Sequence, residues 1–194
     1  MMLDNLLKNR HLILASGSPR RKSFLQDLGL KFEIRIKEVI ETYPIHLKGK
    51  EISEYLAKLK AAPFLEEIAE NDILITADTI VWLEGKALGK PKNKEEASEM
   101  LRSLSNKSHE VISSMALTTI HKQVILSEKT TVRFKELTDQ EIHYYIENFK
   151  PFDKAGAYGI QEWLGFIGIE RIEGSYFNVV GFPVQKFYEA LHKI

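Results

Sequence analysis

The N-terminal part of the chain alternates short apolar runs with a helix-like stretch, and this alternation restricts the fold more than any other feature. Residues 12–15 form an apolar run of strand length, residues 19–28 carry a helical pattern that ends at Gly29, and residues 32–36 alternate as a strand does. A strand, a helix and a second strand in this order are typical of an α/β domain. We therefore expect an α/β fold with a mixed, twisted sheet flanked by helices.

The middle of the chain continues this alternation. Residues 52–69 have a helical pattern that contains Pro63, and an interior proline costs a helix about 3 kcal/mol. We expect a break near Ala62, with Pro63 starting a second segment. Residues 73–77 and 80–83 are apolar runs of strand length.

The second half is predicted to hold three helices and two hairpins: a helix over residues 94–104, a hairpin of residues 108–120 and 124–134, a helix over residues 138–148, a hairpin of residues 163–169 and 176–180, and a closing helix from Pro183. No repeat, low-complexity tract or flexible linker marks a domain boundary. We expect one domain over residues 1–194, with two lobes as an alternative.

Charge and composition exclude several classes of partner. The chain has 27 Lys and Arg against 27 Asp and Glu, so no global field attracts nucleic acid or an anionic membrane. It has no cysteine, which excludes disulfides, thiol catalysis and zinc–thiolate sites, and which is compatible with a reducing cytosol. The apolar run at residues 11–15 is too short for a signal peptide or a membrane span. We expect a soluble cytoplasmic protein with no nucleic-acid or membrane partner.

The segment SGSPRR, residues 16–21, joins the first strand to the first helix. Ser18 and Pro19 form a typical helix start, which leaves backbone N–H groups unpaired and favours an anion. Arg20 and Arg21 add guanidinium groups, which bind phosphate oxygens in pairs. The same residues also fit a capped surface helix with solvated arginines, and this stretch alone does not choose between the two interpretations.

Other polar residues have both a functional and an ordinary explanation. Asp78 follows an apolar strand, so we expect it at the strand's carboxyl end, where ligands bind in open α/β sheets. If Glu41 faces the same cleft, the two carboxylates could hold Mg²⁺; otherwise they are turn and loop residues. Lys60 on a helix and Lys90 in a GKP turn are usually solvated. Gln161 offers a donor and an acceptor, as recognition of a base edge requires.

Five segments together resemble the Maf family: SGSPRR at residues 16–21, ADT at 77–79, GKP at 89–91, DKAGAYGIQ at 153–161 and GSYFNVVGFP at 174–183. They lie in the family's order and spacing and extend over nearly the whole chain. The resemblance implies an α/β sheet around a deep cleft, akin to inosine triphosphate pyrophosphatases. It also implies an enzyme that cuts nucleoside triphosphates to the monophosphate and pyrophosphate.

The resemblance further implies roles for matching residues. Asp78 corresponds to the family's catalytic proton acceptor, and Glu41 together with Asp78 to its site for a divalent metal, Mg²⁺ or Mn²⁺. The phosphate-binding positions share hydroxyl or cationic side chains and are Ser16, Ser18, Arg20, Lys60 and Lys90.

Three further positions bear on the base. The subfamily similar to this chain carries the residues found here as Arg21, Thr79 and Gln161, and it acts on dTTP and UTP. A sister subfamily that prefers 7-methyl-GTP has tryptophan at the Arg21 position. The resemblance thus implies a dTTP/UTP pyrophosphatase that removes nucleotides from the pool, with CTP and modified pyrimidine nucleotides as further candidates and a homodimer as its assembly.

Two alternatives and three departures from the family pattern stay open. A non-catalytic nucleotide sensor or septum-associated protein would use the same cleft, and a nucleotide kinase is disfavoured because no Walker A loop is present. Ile40 stands where many members have an acid, Glu162 stands where relatives often have glycine, and Pro63 interrupts a helix that is usually uninterrupted.

Overall fold

The structure, a computed structural model, describes residues 7–194. Within these residues seven strands form one sheet. They are β1 (His11–Leu14), β2 (Phe32–Ile34), β3 (Asp72–Leu83), β4 (Lys86–Leu88), β5 (Ser108–Thr118), β6 (Gln123–Phe134) and β7 (Ile169–Glu173). The strand order is β2-β1-β3-β5-β6-β7, with β4 paired to β3.

The described residues also form seven α-helices. They are α1 (Pro19–Asp27), α2 (Lys50–Ala61), α3 (Lys94–Leu104), α4 (Asp139–Phe149), α5 (Trp163–Gly168), α6 (Tyr176–Val180) and α7 (Val184–Leu191). Two short 3₁₀ helices cover Ala62–Phe64 and Ala155–Ala157. From residue 7 onward, the structure shows no helix with the length and apolarity needed to span a bilayer.

The sheet is mixed, which confirms the predicted fold class. β1 runs parallel to both β2 and β3, whereas β3 with β4 and β6 with β7 are antiparallel. Parallel strands joined through a helix need a crossover such as α1, and antiparallel neighbours can be joined by a short turn.

The chain divides into two compact units. The first contains the residues up to Asp78, Ser113–Ser127 and Gly181–Ile194, and the second contains Thr79–Ile112 and Glu128–Val180. That the chain is a single functional domain stays a prediction.

Both faces of the sheet are covered in the first unit. On one face, the apolar core joins strand residues such as Leu12 and Ile73 to Leu25 of α1 and Phe187 of α7. On the other face, strand residues including Ile13 pack with Phe64 and other side chains at the end of α2. Burial on both faces explains why β1 and the first half of β3 are rich in consecutive apolar residues.

The predicted break of the second helix is confirmed. α2 ends at Ala61, and Pro63 lies in the 3₁₀ helix Ala62–Phe64 that follows it. Because proline lacks an N–H group and its ring clashes with the preceding turn, the α-helix cannot continue through it. The capping box at Thr138 and Glu141 is also present at the start of α4.

The predicted hairpin of residues 163–169 and 176–180 is wrong. Both runs are mainly helical, as α5 and α6, and the strand β7 occupies Ile169–Glu173, which includes most of the expected turn. Short apolar runs fit a buried helix turn as well as a strand, so periodicity cannot distinguish them. β7 is exposed along most of its length, and its antiparallel pairing with β6 defines it.

Candidate active site

The SGSPRR segment begins α1 as its sequence predicts. Pro19 opens the helix, and the Ser18 side chain caps it by accepting a hydrogen bond from the backbone N–H of Arg21 at 3.4 Å. The Ser16 hydroxyl accepts from the backbone N–H of Ser18 at 3.3 Å. Arg20, in the first turn, is half-buried. The segment therefore places two hydroxyls and one guanidinium at a helix N-terminus, where an anion is stabilised.

Arg21 is fixed within the first unit. Its Nε donates to the carbonyl oxygen of Gly181 at 3.0 Å, and its Nη1 donates to the carbonyl of Ala77 at 2.9 Å and to Ser16 Oγ at 3.2 Å. Burial lowers the pKa of Arg21, and the negative charge of Asp78 opposes that shift. A guanidinium held by backbone carbonyls in this way has a fixed orientation.

Lys60, Asp78 and Glu41 meet although they come from different elements. Lys60 projects from α2, Asp78 from β3, and Glu41 from the segment between β2 and α2. The Lys60 ammonium donates to Asp78 Oδ1 at 2.6 Å and lies 3.1 Å from Glu41 Oε2. The structure thus brings together two carboxylates and the lysine that the sequence alone left as a solvated helix residue.

The predicted position of Asp78 at a strand end is wrong, because β3 continues to Leu83. The neighbouring parallel strand β1 ends at Leu14, which pairs with Ile75. Asp78 therefore lies past the carboxyl end of β1, where that strand no longer covers the edge of β3. The sequence could not reveal how far each partner strand extends.

The Asp78 carboxyl group is buried and strongly perturbed. Burial raises its pKa, and the positive charges of Lys60 and Arg21 oppose this shift. Its Oδ2 atom is buried and accepts no hydrogen bond from any residue that the structure describes. A buried carboxylate oxygen without a partner is costly, and such atoms are typical of functional sites.

The same carboxylates fit a divalent cation held jointly with a phosphate. Across residues 7–194 there is no cluster of three or more His, Cys, Asp or Glu side chains arranged to hold a metal ion. Asp78 and Glu41 nevertheless both contact one positive charge, that of Lys60. Mg²⁺ usually takes one or two carboxylates and completes its shell with waters and substrate phosphates. The free Asp78 oxygen and the half-exposed Glu41 supply ligands of that kind.

The remaining predicted residues belong to the second unit. Thr79 follows Asp78 along β3 and is half-buried, and Lys90 is exposed in the turn after β4. That turn is tied to the DKAGAYGIQ segment, because the N–H of Gly156 donates to the carbonyl of Gly89 at 3.0 Å. Gln161 closes the segment, and its Oε1 is buried and accepts no hydrogen bond from the described residues.

Sequence reasoning missed a partly buried polar network in the second unit. The Tyr145 hydroxyl donates to Glu162 Oε2, and the Lys154 ammonium lies 3.0 Å from Glu162 Oε1 and 2.6 Å from Asp153 Oδ1. The backbone N–H of Gly159 donates to the Tyr145 hydroxyl at 3.0 Å. Apart from Glu162, which stands where relatives of the family often have glycine, each residue alone looks like an ordinary helix or loop residue.

A buried pair of residues, His109 and Tyr158, supports the DKAGAYGIQ segment. His109 Nε2 lies 2.7 Å from the Tyr158 hydroxyl, and both rings pack edge-on against Phe134. Burial lowers the pKa of His109 to about 4, and burial raises the pKa of Tyr158. The imidazole is therefore neutral in the folded protein near pH 7.

This lowered pKa predicts a pH-dependent stability. Because His109 binds a proton less readily in the folded state, its pKa falling from 6.5 to about 4, acid favours unfolding. The free energy of unfolding should fall by about 3 kcal/mol at most through this group as the pH drops from 6.5 to 4. Urea titrations across this range should give a shallower pH dependence for His109→Phe than for the wild type. The exposed His121→Gln serves as control, and an unchanged dependence in His109→Phe would contradict the assignment.

The chain is similar to several known proteins. A family model described as Maf-like protein matches residues 11–194. A protein of Flavobacterium johnsoniae named dTTP/UTP pyrophosphatase is 56% identical over 190 residues, covering 98% of both chains. A protein of the same name from Christiangramia forsetii is 55% identical over 193 residues, covering 100% of this chain and 98% of its own. The solved Ham1 protein of Staphylococcus aureus is 14% identical with a TM-score of 0.46, covering 64% of this chain and 72% of its own.

Proposed function

The chain belongs to the Maf family, and from this membership we propose that it hydrolyses dTTP and UTP to the nucleoside monophosphate and pyrophosphate. The match covers residues 11–194, and relatives that are 56% and 55% identical along nearly their whole length are named dTTP/UTP pyrophosphatase. Relatives this similar over the full chain support the same reaction class.

The observation that carries the proposal is the Asp78 carboxylate, buried beside Lys60 with one oxygen unpartnered. In the proposed reaction, a water oxygen bonds to the α phosphorus, and the bond from that phosphorus to the oxygen bridging to the β phosphate breaks. Asp78 accepts the proton from the attacking water. Burial raises its pKa and so makes it a stronger base than an exposed aspartate.

Positive charge must balance the negative charge of the phosphates as pyrophosphate leaves the α phosphorus. We assign this role to Lys60, Lys90 and Arg20, with hydroxyl and backbone donors from Ser16 and Ser18 at the start of α1. Donors already aimed at the leaving pyrophosphate stabilise its developing charge without reorganisation. In the free protein the Lys60 charge is balanced by Asp78 and Glu41.

Asp78 and Glu41 would hold the divalent cation, Mg²⁺ or Mn²⁺. A bound cation of this kind lowers the pKa of its water and screens phosphate charge. The protein's own contribution is to bring both carboxylates to the Lys60 ammonium and to leave Asp78 Oδ2 without a donor among the described residues.

Base choice is assigned to Arg21, Thr79 and Gln161. Uracil and thymine carry an N3–H donor, and the buried Oε1 of Gln161 is an acceptor that lacks a partner among the described residues. A polar group built to pair with a ligand rejects ligands that leave it unpaired. This complementarity supports recognition of the N3–H group, which uracil and thymine share and cytosine lacks.

A nucleotide panel tests the function. Pure protein with Mg²⁺ or Mn²⁺ is expected to release pyrophosphate from UTP and dTTP faster than from CTP, ATP or GTP. Excess EDTA should abolish turnover, and added metal should restore it. Release of orthophosphate without pyrophosphate would contradict the proposal. Binding of dTTP without product would instead favour a nucleotide-sensing protein.

We also propose where the protein acts and how it assembles. The protein is expected to act in the cytoplasm as a homodimer without nucleic acid, and the balance of 27 cationic against 27 acidic residues supports the last point. Sedimentation velocity at micromolar concentration would give the mass of the assembly.

A further inference from the structure

We propose that Glu162 is a positioning residue that sets Gln161 for recognition of the pyrimidine base, with Lys154 and Tyr145 holding its carboxylate. The proposal rests on the proposed function, because it assigns a role in base choice. It is carried by contacts within the second unit alone, which bind Glu162 through both of its oxygens.

The network connects Gly159 and Glu162, the residues that flank Ile160 and Gln161 in the sequence. On the N-terminal side, the N–H of Gly159 donates to the Tyr145 hydroxyl at 3.0 Å. On the C-terminal side, the same hydroxyl donates to Glu162. A turn between them is closed by the Glu162 N–H, which donates to the carbonyl of Gly159 at 3.0 Å. One tyrosine hydroxyl therefore fixes both ends of the segment that carries Gln161.

The side chains of Gln161 and Glu162 both pack close to Gly159. A Cβ atom on Gly159 would lie 3.0 Å from Gln161 Nε2 and 3.0 Å from the carboxyl carbon of Glu162. The Gln161 amide and the Glu162 carboxyl group thus both lie against the same glycine. A shift of the carboxyl group would change the space available to the amide.

The charge of Lys154 keeps the carboxylate in place. Lys154 is 8% exposed, and its ammonium has carboxylate partners in Glu162 and Asp153. Breaking a buried ion pair by removing one partner leaves the other charge uncompensated. Burial, followed by the interaction with Glu162, raises the pKa of Tyr145, so its hydroxyl stays protonated and remains a donor.

The arrangement leaves Gln161 with one acceptor for a ligand. Its Oε1 is buried, yet no described residue donates a hydrogen bond to it. Because the network holds the backbone on both sides, this acceptor keeps a defined place when no ligand is bound. Pre-organisation of this kind increases affinity and selectivity, since less freedom is lost on binding.

Two variants test the proposal. Glu162→Gln keeps the shape and removes the charge, and Tyr145→Phe removes only the hydroxyl shared by Glu162 and Gly159. Each is expected to raise KM for UTP and to lower the preference for UTP over GTP by about tenfold, with kcat within about twofold. Turnover of inorganic triphosphate, which has no base, should change little.

Tyr144→Phe is the matched control. Tyr144 is the preceding residue of α4, is 48% exposed, and packs against Trp163. Tyr144 takes no part in the network of Tyr145, Glu162 and Lys154, so its substitution should leave both KM and the UTP/GTP preference unchanged. Thermal melting of all three variants reports any general loss of stability.

The outcomes separate this proposal from the proposed function. Lowered melting temperatures with an unchanged UTP/GTP preference in both variants would overturn the positioning role. If the wild type releases no pyrophosphate, the proposed function fails, and calorimetric affinities for UTP and GTP still measure discrimination in the same variants. Equal wild-type affinities for the two nucleotides would also overturn the proposal, because no base choice would exist.

Discussion

Replacing Asp78 with asparagine is expected to lower kcat for UTP by about 10²- to 10⁴-fold, the range for loss of a general base. Asparagine keeps the size of the side chain and can still pair with Lys60, but it cannot accept a proton from water. Because burial raises the pKa of Asp78, removing the charge should not lower the melting temperature. Steady-state pyrophosphate release and thermal melting measure both effects.

Asp72→Asn provides the control on the same strand. Asp72 is also buried on β3, but its oxygens accept from the Ala69 N–H at 2.8 Å and contact His11 at 3.0 Å. Burial alone would raise the pKa of Asp72, yet these partners lower it. This variant should lose stability and retain kcat. Near-normal kcat in Asp78→Asn would remove Asp78 from the role of base.

Replacing Gly165 with alanine is expected to cost about 3 kcal/mol of stability or more, because overpacking against backbone cannot relax cheaply. A Cβ atom on Gly165 in α5 would lie 1.9 Å from the carbonyl oxygen of Ile160 and 2.5 Å from its carbonyl carbon. The backbone before Gln161 would have to move. Urea unfolding should show the loss, and KM for UTP should rise in whatever fraction folds.

Gly89→Ala is the comparison for this variant. A Cβ atom on Gly89 meets no atom within 4 Å, so alanine there should change the free energy of unfolding little. Equal stability of the two alanine variants would show that α5 does not approach Ile160 as closely as the structure indicates.

Local signals made much of the first unit predictable. Ser18 and Pro19 define the start of α1, and Pro63 defines the end of α2, because capping and proline geometry act over a few residues. The continuous apolar runs of β1 and β3 predicted buried strands. The resemblance in five segments then allowed Asp78, Glu41 and Lys60 to be named before their contacts were known.

Features that depend on distant partners were not predictable. The length of β3 beyond Asp78 depends on pairing with other strands. The apolar residues 163–168 form a helix, and periodicity in so short a run does not distinguish a helix from a strand. Glu162 meets Tyr145 across 17 residues of sequence. Glutamate is usually exposed, and only the folded structure shows that Glu162 contacts the buried Lys154.

The most direct test of the central claim is hydrolysis of UTP in water enriched in oxygen-18. If water attacks the α phosphorus with Asp78 as base, the label appears in uridine monophosphate, and the pyrophosphate stays unlabelled. Mass spectrometry of the two products distinguishes these positions. Label in pyrophosphate would place the attack on the β phosphorus and contradict the account.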